Sequence, residues 1–269
     1  MDIIVTKIEF KKWCLAILCL FALPLTMVSQ EVCEIITNSL DIPLLRKDLN
    51  EQILRRIGYT VSYNSDLRIP NWVAWYLTAK HVKGMIPRPS GNAWHEDEEV
   101  QKPRSTNEDY RNSGWSRGHM CPAGDCKWDE QVMYESFLFT NCCPQHANLN
   151  SGIWNQIEMS CRRWAEKYGE VHIVCGPVLF RQKHETIGPN HVVIPEAFFK
   201  VVICFIDGKP EGIGYICKNQ KEDNKRSNYV NTIYEIERIT GFTFFPSLPT
   251  ELAKHAKGEI SPLLNYAIH

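Results

Sequence analysis

A histidine directly behind a glycine, in Trp115-Ser116-Arg117-Gly118-His119-Met120, stands about thirty residues ahead of an asparagine that opens a helix-like run, Asn148-Leu149-Asn150-Ser151-Gly152-Ile153-Trp154-Asn155-Gln156-Ile157-Glu158. A neutral imidazole titrates near pH 7 and can take a proton from a water, so His119 is the candidate general base, its second ring nitrogen free to be oriented by a backbone group. The amide oxygen of Asn150 suits a hard cation such as Mg²⁺ or Mn²⁺, which takes few protein ligands and keeps most of its waters. Glu158 follows eight residues later, about two helical turns, so it can share a face with Asn150 and hold a metal-bound water. Arg117 and Arg88 offer planar guanidinium forks matched to phosphate oxygens, and Asn141 can orient His119 or a water. A base, a cation site and phosphate-binding arginines are what hydrolysis of a phosphodiester requires.

Each of these residues has a plainer reading. A lone histidine among nine is more often a core or surface residue, Asn150 is also a favoured helix cap, and Glu158 is also an exposed helical glutamate. Trp115 and Trp154 read as packing residues that stiffen the motif backbones, ahead of base-stacking platforms.

The elements that must position these groups follow from periodicity and turn residues. Tyr59 to Asn64 and Trp72 to Thr78 read as a strand hairpin of a central antiparallel sheet, with Asn64, Ser65, Asp66 and Pro70 in the turn. Pro87 to Gly114 reads as a long polar loop, and its acidic block His95-Glu96-Asp97-Glu98-Glu99 as a solvated connection. Phe137 to Asn141 reads as a strand and Ile153 to Tyr168 as a helix with Ile153, Trp154, Ile157, Cys161 and Trp164 toward the core. Val171 to Phe180 is a buried strand; Phe198 to Ile206 and Gly212 to Cys217 form a pair joined by Asp207-Gly208-Lys209-Pro210. A helix over Tyr229 to Gly241 and the segment Phe242 to Pro249 complete the chain. Residues 30–57 read as an N-terminal extension in which Leu44, Leu45, Leu49 and Ile53 share one side of a short helix. The pattern is α+β, with one domain over residues 58–269.

At the N-terminus, Lys7, Lys11 and Lys12 precede an apolar run from Trp13 to Val28, which reads as a signal peptide over residues 1–29; an uncleaved anchor is the rival, against which Pro24 argues. The expectation is therefore a secreted or periplasmic protein without stable membrane association after cleavage, and a homodimer is left open. The chain has 30 Lys+Arg and 31 Asp+Glu; without residues 1–29 these become 27 and 29, so no global field draws it onto a polyanion. Contact with nucleic acid must then come from a local groove of Arg88, Arg104, Arg111, Arg117, Arg162 and Arg163. Nine cysteines remain beyond the signal segment, an odd number, and in an oxidising compartment some would pair. Their spacing is not that of a zinc site.

Ser116-Arg117-Gly118-His119, Thr140-Asn141-Cys142-Cys143-Pro144-Gln145, Leu149-Asn150-Ser151-Gly152-Ile153-Trp154 and Ile157-Glu158 resemble the DNA/RNA non-specific endonucleases of the ββα-metal, or His-Me finger, type. The likeness extends through Val174-Cys175-Gly176-Pro177 and Ile194 to Val201, over about residues 58 to 250. The resemblance implies a central antiparallel sheet with flanking helices, a divalent ion, and cleavage of DNA and RNA to 5′-phosphate ends. It makes His119 the general base and Asn150 the direct metal ligand, with Arg117, Asn141 and Glu158 in supporting positions and Arg88 binding phosphate. Ser116 departs from the family's usual aspartate at that position. A phosphodiesterase for smaller esters and a catalytically weakened nucleic-acid-binding protein are the alternatives.

Overall fold

The structure, a computed structural model, describes residues 40–221 and 225–262, so the expected signal peptide and the start of the N-terminal extension lie outside the described residues. Eleven strands run through these residues. The first five are β1 (Gln52–Arg55), β2 (Thr60–Asn64), β3 (Ile69–Thr78), β4 (Ser116–His119) and β5 (Cys142–Gln145). They are followed by β6 (Glu170–Val178), β7 (Thr186–Ile187), β8 (Val192–Val193), β9 (Ala197–Ile206), β10 (Lys209–Lys218) and β11 (Val230–Asn231). The helices are α1 (Ala79–Val82), α2 (Asn107–Tyr110), α3 (Glu130–Ser136), α4 (Ala147–Leu149), α5 (Asn155–Tyr168), α6 (Ile233–Thr240) and α7 (Thr250–Gly258). A π-helical segment, Asn150–Trp154, joins α4 to α5.

Seven strands form one antiparallel sheet in the order β1-β2-β3-β6-β9-β10-β11, which is the α+β arrangement with a central antiparallel sheet. Alternation along the strands supplies both of its faces with apolar side chains. In β9, Phe198 and Val202 pack with Ile157, Cys161 and Trp164 of α5, while Phe199, Val201 and Ile203 pack with Ile233 and Ile236 of α6 and with Phe242, Phe244 and Phe245. The sheet is therefore sandwiched between helical layers and reads as nearly continuous apolar runs. The β9–β10 hairpin closes through Asp207 and Gly208, both left-handed (φ 50° and 76°), the backbone that a two-residue hairpin turn demands.

Four elements differ from expectation. The β2–β3 hairpin forms as read, but residues 44–53 are no amphipathic helix: Leu44 and Leu45 are exposed, and Gln52–Arg55 is an edge strand hydrogen-bonded to β2. The strand expected over Phe137 to Asn141 is a pair of turns, with Leu138 N–H donating to Glu135 and Asn141 N–H to Leu138; the strand starts only at Cys142. The helix expected from Tyr229 starts only at Ile233, where Thr232 and Glu235 form a capping box. The acidic block is in part structural: buried Asp97 accepts from Arg56 (2.5 Å) and from the Thr140 hydroxyl (2.6 Å), and Glu96 holds Arg104.

No disulfide joins the described cysteines. Cys121, Cys126, Cys142, Cys143, Cys161, Cys175 and Cys204 are free thiols, and they and Cys217 are buried. They sit as small apolar side chains in the core, and even the Sγ atoms of Cys121 and Cys126 stay 3.8 Å apart, well beyond a covalent S–S length of about 2 Å. Burial pushes the Cys161 and Cys175 thiols up to about 12, so both are neutral at physiological pH. Among the described residues no helix is long and apolar enough to cross a membrane.

Candidate active site

A separate two-stranded hairpin, β4 with β5, followed by the π segment and α5, forms a ββα unit packed on the large sheet. Its close approach depends on Gly118: a Cβ there would lie 2.3 Å from Gln145 Oε1 and 2.6 Å from Gln145 Cβ. In register, Ser116 stands opposite Gln145 and His119 opposite Cys142, so Arg117 and His119 project to the same side of β4.

His119 is held by rings. Its imidazole lies 4.3 Å from the Trp94 ring (45°) and 4.9 Å from Phe137 in an edge arrangement (81°), and Nε2 is sealed from solvent without a hydrogen-bond partner. The expected backbone hydrogen bond to the imidazole is absent among the described residues; aromatic walls set the orientation instead. Burial pushes the imidazole pKa down to about 3, helped by the positive charge of Arg88, because the charged form is disfavoured in an apolar box beside a cation. His119 is thus neutral at physiological pH.

Asn141 acts on the backbone that follows His119. Its side-chain oxygen accepts the Cys121 N–H (2.8 Å), its Nδ2 donates to the carbonyls of Cys121 (2.8 Å) and Ser136 (2.9 Å), and its own carbonyl accepts the Met120 N–H. Both amide hydrogens are used in this clamp, so the Asn141 side chain braces the turn that follows His119 and does not touch its ring.

The guanidinium of Arg88 lies over the Phe137 ring at 5.4 Å, and its charge reaches both His119 and Glu158. Arg117 sits over Tyr110 at 5.3 Å and reaches the Asn107 carbonyl at 3.5 Å, while Asn107 Nδ2 donates to the carbonyl of Trp94, the ring against His119. Among the described residues neither arginine is paired with a carboxylate. The other members of the expected basic groove are occupied. Arg104 pairs with Glu96, Arg111 with Glu108 and Arg162 with Asp125 (2.6 Å), and Arg163 donates to the Ser160 hydroxyl.

Asn150 opens the π segment, half-buried, with its backbone N–H bonded to the His146 carbonyl. The segment departs from helical backbone at Gly152 (φ −97°, ψ −111°), and π bulges of this kind recur at functional sites. Glu158, in the first turn of α5, is buried; burial pushes its carboxyl up to about 7 against the pull of Lys200. No group of three or more His, Cys, Asp or Glu among the described residues could hold a metal. One half-buried amide oxygen with a carboxylate on the same helical unit suits a mostly hydrated hard cation and not a zinc-type cage.

Several site residues had no functional reading in the sequence. Trp94 and Phe137 line His119 from a loop and a turn, and nothing in their local pattern marks them. Lys200 did carry a signal, a charge within the apolar run Ala197-Phe198-Phe199-Lys200-Val201-Val202-Ile203-Cys204.

With this geometry in view, the family model described as DNA/RNA non-specific endonuclease matches residues 40–251. The mitochondrial nuclease EXOG of Danio rerio is 32% identical over 205 residues, covering 71% of this chain and 60% of its own length. Mitochondrial endonuclease G of Bos taurus is 32% identical over 210 residues, covering 73% and 70%. A crystal structure of an EndoG/EndoGI complex superposes with a TM-score of 0.73 at 28% identity, over 81% of this chain and 94% of the other. The chain spans about six tenths of the length of the EXOG relatives it matches. These relatives overturn the secreted or periplasmic address, since they are named as mitochondrial nucleases. A basic flank ahead of an apolar run does not by itself identify secretion.

Proposed function

Because the chain belongs to the DNA/RNA non-specific endonuclease family, we propose that it is a sugar-nonspecific endonuclease that hydrolyses phosphodiester bonds in DNA and RNA with a divalent ion, Mg²⁺ or Mn²⁺. The observation that carries this reading is His119, neutral and boxed by Trp94 and Phe137, beside the carboxylate-free guanidinium of Arg88.

In the reaction, His119 takes the proton from the attacking water through Nδ1, the ring nitrogen other than the sealed Nε2. A base with a pKa of about 3, set chiefly by burial, is weak in the free protein; an arriving phosphate offsets the Arg88 charge and, as an anion beside the ring, raises the imidazole pKa above that value. Arg88 and Arg117 bind the phosphate oxygens, and the bidentate fork holds the phosphorus in line with the water. Asn141 keeps the turn after His119 in place. Asn150 would hold the divalent ion directly, with Glu158 gripping one of its waters. When bound, that ion supplies charge neutralisation at the phosphoryl and leaving 3′ oxygens. Ser116 leaves the site without the family's carboxylate before Arg117, opposite Gln145. The nuclease domain in this reading includes β1, the edge strand ahead of Tyr59.

The test is cleavage of plasmid DNA and structured RNA by purified protein with Mg²⁺, with chelator, and with His119→Ala. Both polymers are expected to be cut only with the ion. His119→Ala is expected to lose at least about 100-fold, the lower bound for removing a general base. Binding without metal-dependent cutting would mark a weakened binding protein, and turnover confined to small esters a phosphodiesterase.

A further inference from the structure

Beneath the ββα unit, the large sheet holds a lysine that the proposed chemistry does not use. Lys200, in the middle of β9, is fully buried, and its Nζ has no hydrogen-bond partner among the described residues. It stands opposite Cys175 of β6 and Tyr215 of β10 on the sheet face that packs against α5. Its ammonium lies 4.5 Å from the Trp154 ring centroid and 5.3 Å from that of Trp75.

A cation taken out of water needs an opposite charge, and an aromatic face replaces only part of what it loses. The charges around Lys200 narrow the choice. Burial works against its protonated form, and the groups facing it that can carry a negative charge are Cys175, Glu158, Cys161 and Asp125. At neutral pH the two thiols carry no charge. Asp125 is already engaged, accepting from Arg162 at 2.6 Å and from the Trp75 indole at 3.1 Å. Glu158 remains. Its carboxyl is faced by Lys200 from β9, by Asp125 from the turn after β4, by Arg162 from its own helix and by Arg88, and Lys200 exerts the largest attraction.

Trp154 and Glu158 lie four residues apart, one helical turn, at the junction of the π segment and α5. Lys200 therefore meets this junction at the Trp154 indole, and its charge acts on the Glu158 carboxylate one turn further on. The junction ends the segment whose first residue is Asn150.

We propose that Lys200 is a positioning residue for the nuclease reaction: from the sheet beneath, it serves as counter-ion to Glu158 and as the seat of Trp154, fixing the segment that presents Asn150. The proposal rests on the nuclease reading, and the experiment separates the two. Lys200→Met keeps the length and removes the charge. Removing one member of a buried charge pair destabilises the fold unless its partner neutralises, and the Glu158 carboxyl, raised by burial to about 7, can take up a proton when Lys200 is lost. The expected result at pH 6, where Glu158 is largely protonated, is a thermal midpoint close to the wild-type value, with kcat on plasmid DNA at least tenfold lower.

Coupling to Glu158 is read from a double-mutant cycle. Lys200→Met added to Glu158→Gln is expected to slow turnover by less than twofold beyond Glu158→Gln alone, because both changes break one arrangement. Infrared difference spectra between each protein and its Glu158→Gln counterpart report the carboxyl without any turnover. At pH 7 the ionised fraction of Glu158 is expected to fall in Lys200→Met. Wild-type kcat in Lys200→Met, fully multiplicative losses in the cycle, or an unchanged ionised fraction each overturn the proposal; so does a loss of activity that tracks a loss of stability. A wild-type protein that cuts no nucleic acid defeats the nuclease reading, and the infrared comparison still decides whether Lys200 and Glu158 are paired.

Discussion

His119→Asn tests the boxed, neutral imidazole without using catalysis as the readout. The ordinary histidine pKa is about 6.5, and burial with the Arg88 charge pushes it down to about 3 in the fold. Between these values the unfolded chain binds a proton that the folded chain refuses. The stability contributed by neutral His119 is therefore complete above pH 6.5 and is lost as the pH falls toward 3. At about 1.4 kcal/mol per unit, the full effect approaches ~5 kcal/mol, and between pH 6.5 and 4.5 it amounts to ~2 kcal/mol. Asparagine keeps a polar side chain in the box but cannot titrate. Urea unfolding of both proteins at pH 6.5 and 4.5 gives the comparison. Wild type is expected to lose ~2 kcal/mol more than His119→Asn over this interval, roughly 1 M in midpoint for an m-value of ~2 kcal/mol/M. Subtracting the variant removes the other titrating groups. Equal pH dependence in the two proteins, or an imidazole NMR titration near pH 6.5, would refute the box.

The other predictions concern neighbours of His119. The Glu158 carboxyl, raised by burial to about 7, favours the fold at low pH and withdraws that contribution as the pH rises through 7; Glu158→Gln is therefore expected to gain ~3 kcal/mol relative to wild type between pH 4.5 and 8, and parallel stability curves would contradict it. Asn141→Ala removes three hydrogen bonds from buried backbone groups and is expected to cost ~3 kcal/mol or more by thermal unfolding; a loss below ~1 kcal/mol would mean the clamp is dispensable. Arg88→Ala is expected to lower the slope of log affinity against log salt by about one phosphate contact and to raise the His119 pKa, two changes that share one cause and are measured by DNA binding and imidazole NMR.

Much of the architecture could be read from the chain because it rests on local rules. The β2–β3 hairpin, the buried strand near Val171 to Val178, the Asp207-Gly208 turn and the helix carrying Glu158 all follow from alternation, turn chemistry or helical period, each set by residues within a few positions of one another. The misread elements depend on distant partners. Phe137 to Asn141 has strand-forming side chains, but the clamp of Asn141 on Cys121 and the bond from Thr140 to Asp97 hold it in turns. Asp97 is acidic and hydrophilic in sequence, yet Arg56, just past the end of β1, draws it into the interior.

The same division holds at the site. By itself the sequence determined the types and order of the groups: the histidine behind a glycine, the asparagine ahead of a helix, the glutamate two turns on, and the family motifs that contain them. Tertiary structure alone decided their electrostatic state. The His119 imidazole is neutral because Trp94 and Phe137, brought from separate segments, exclude water around it, and the Glu158 carboxyl is raised because α5 buries it against the sheet. The physical reason is that a residue's chemical type is local, whereas the cost of its charge depends on everything folded around it.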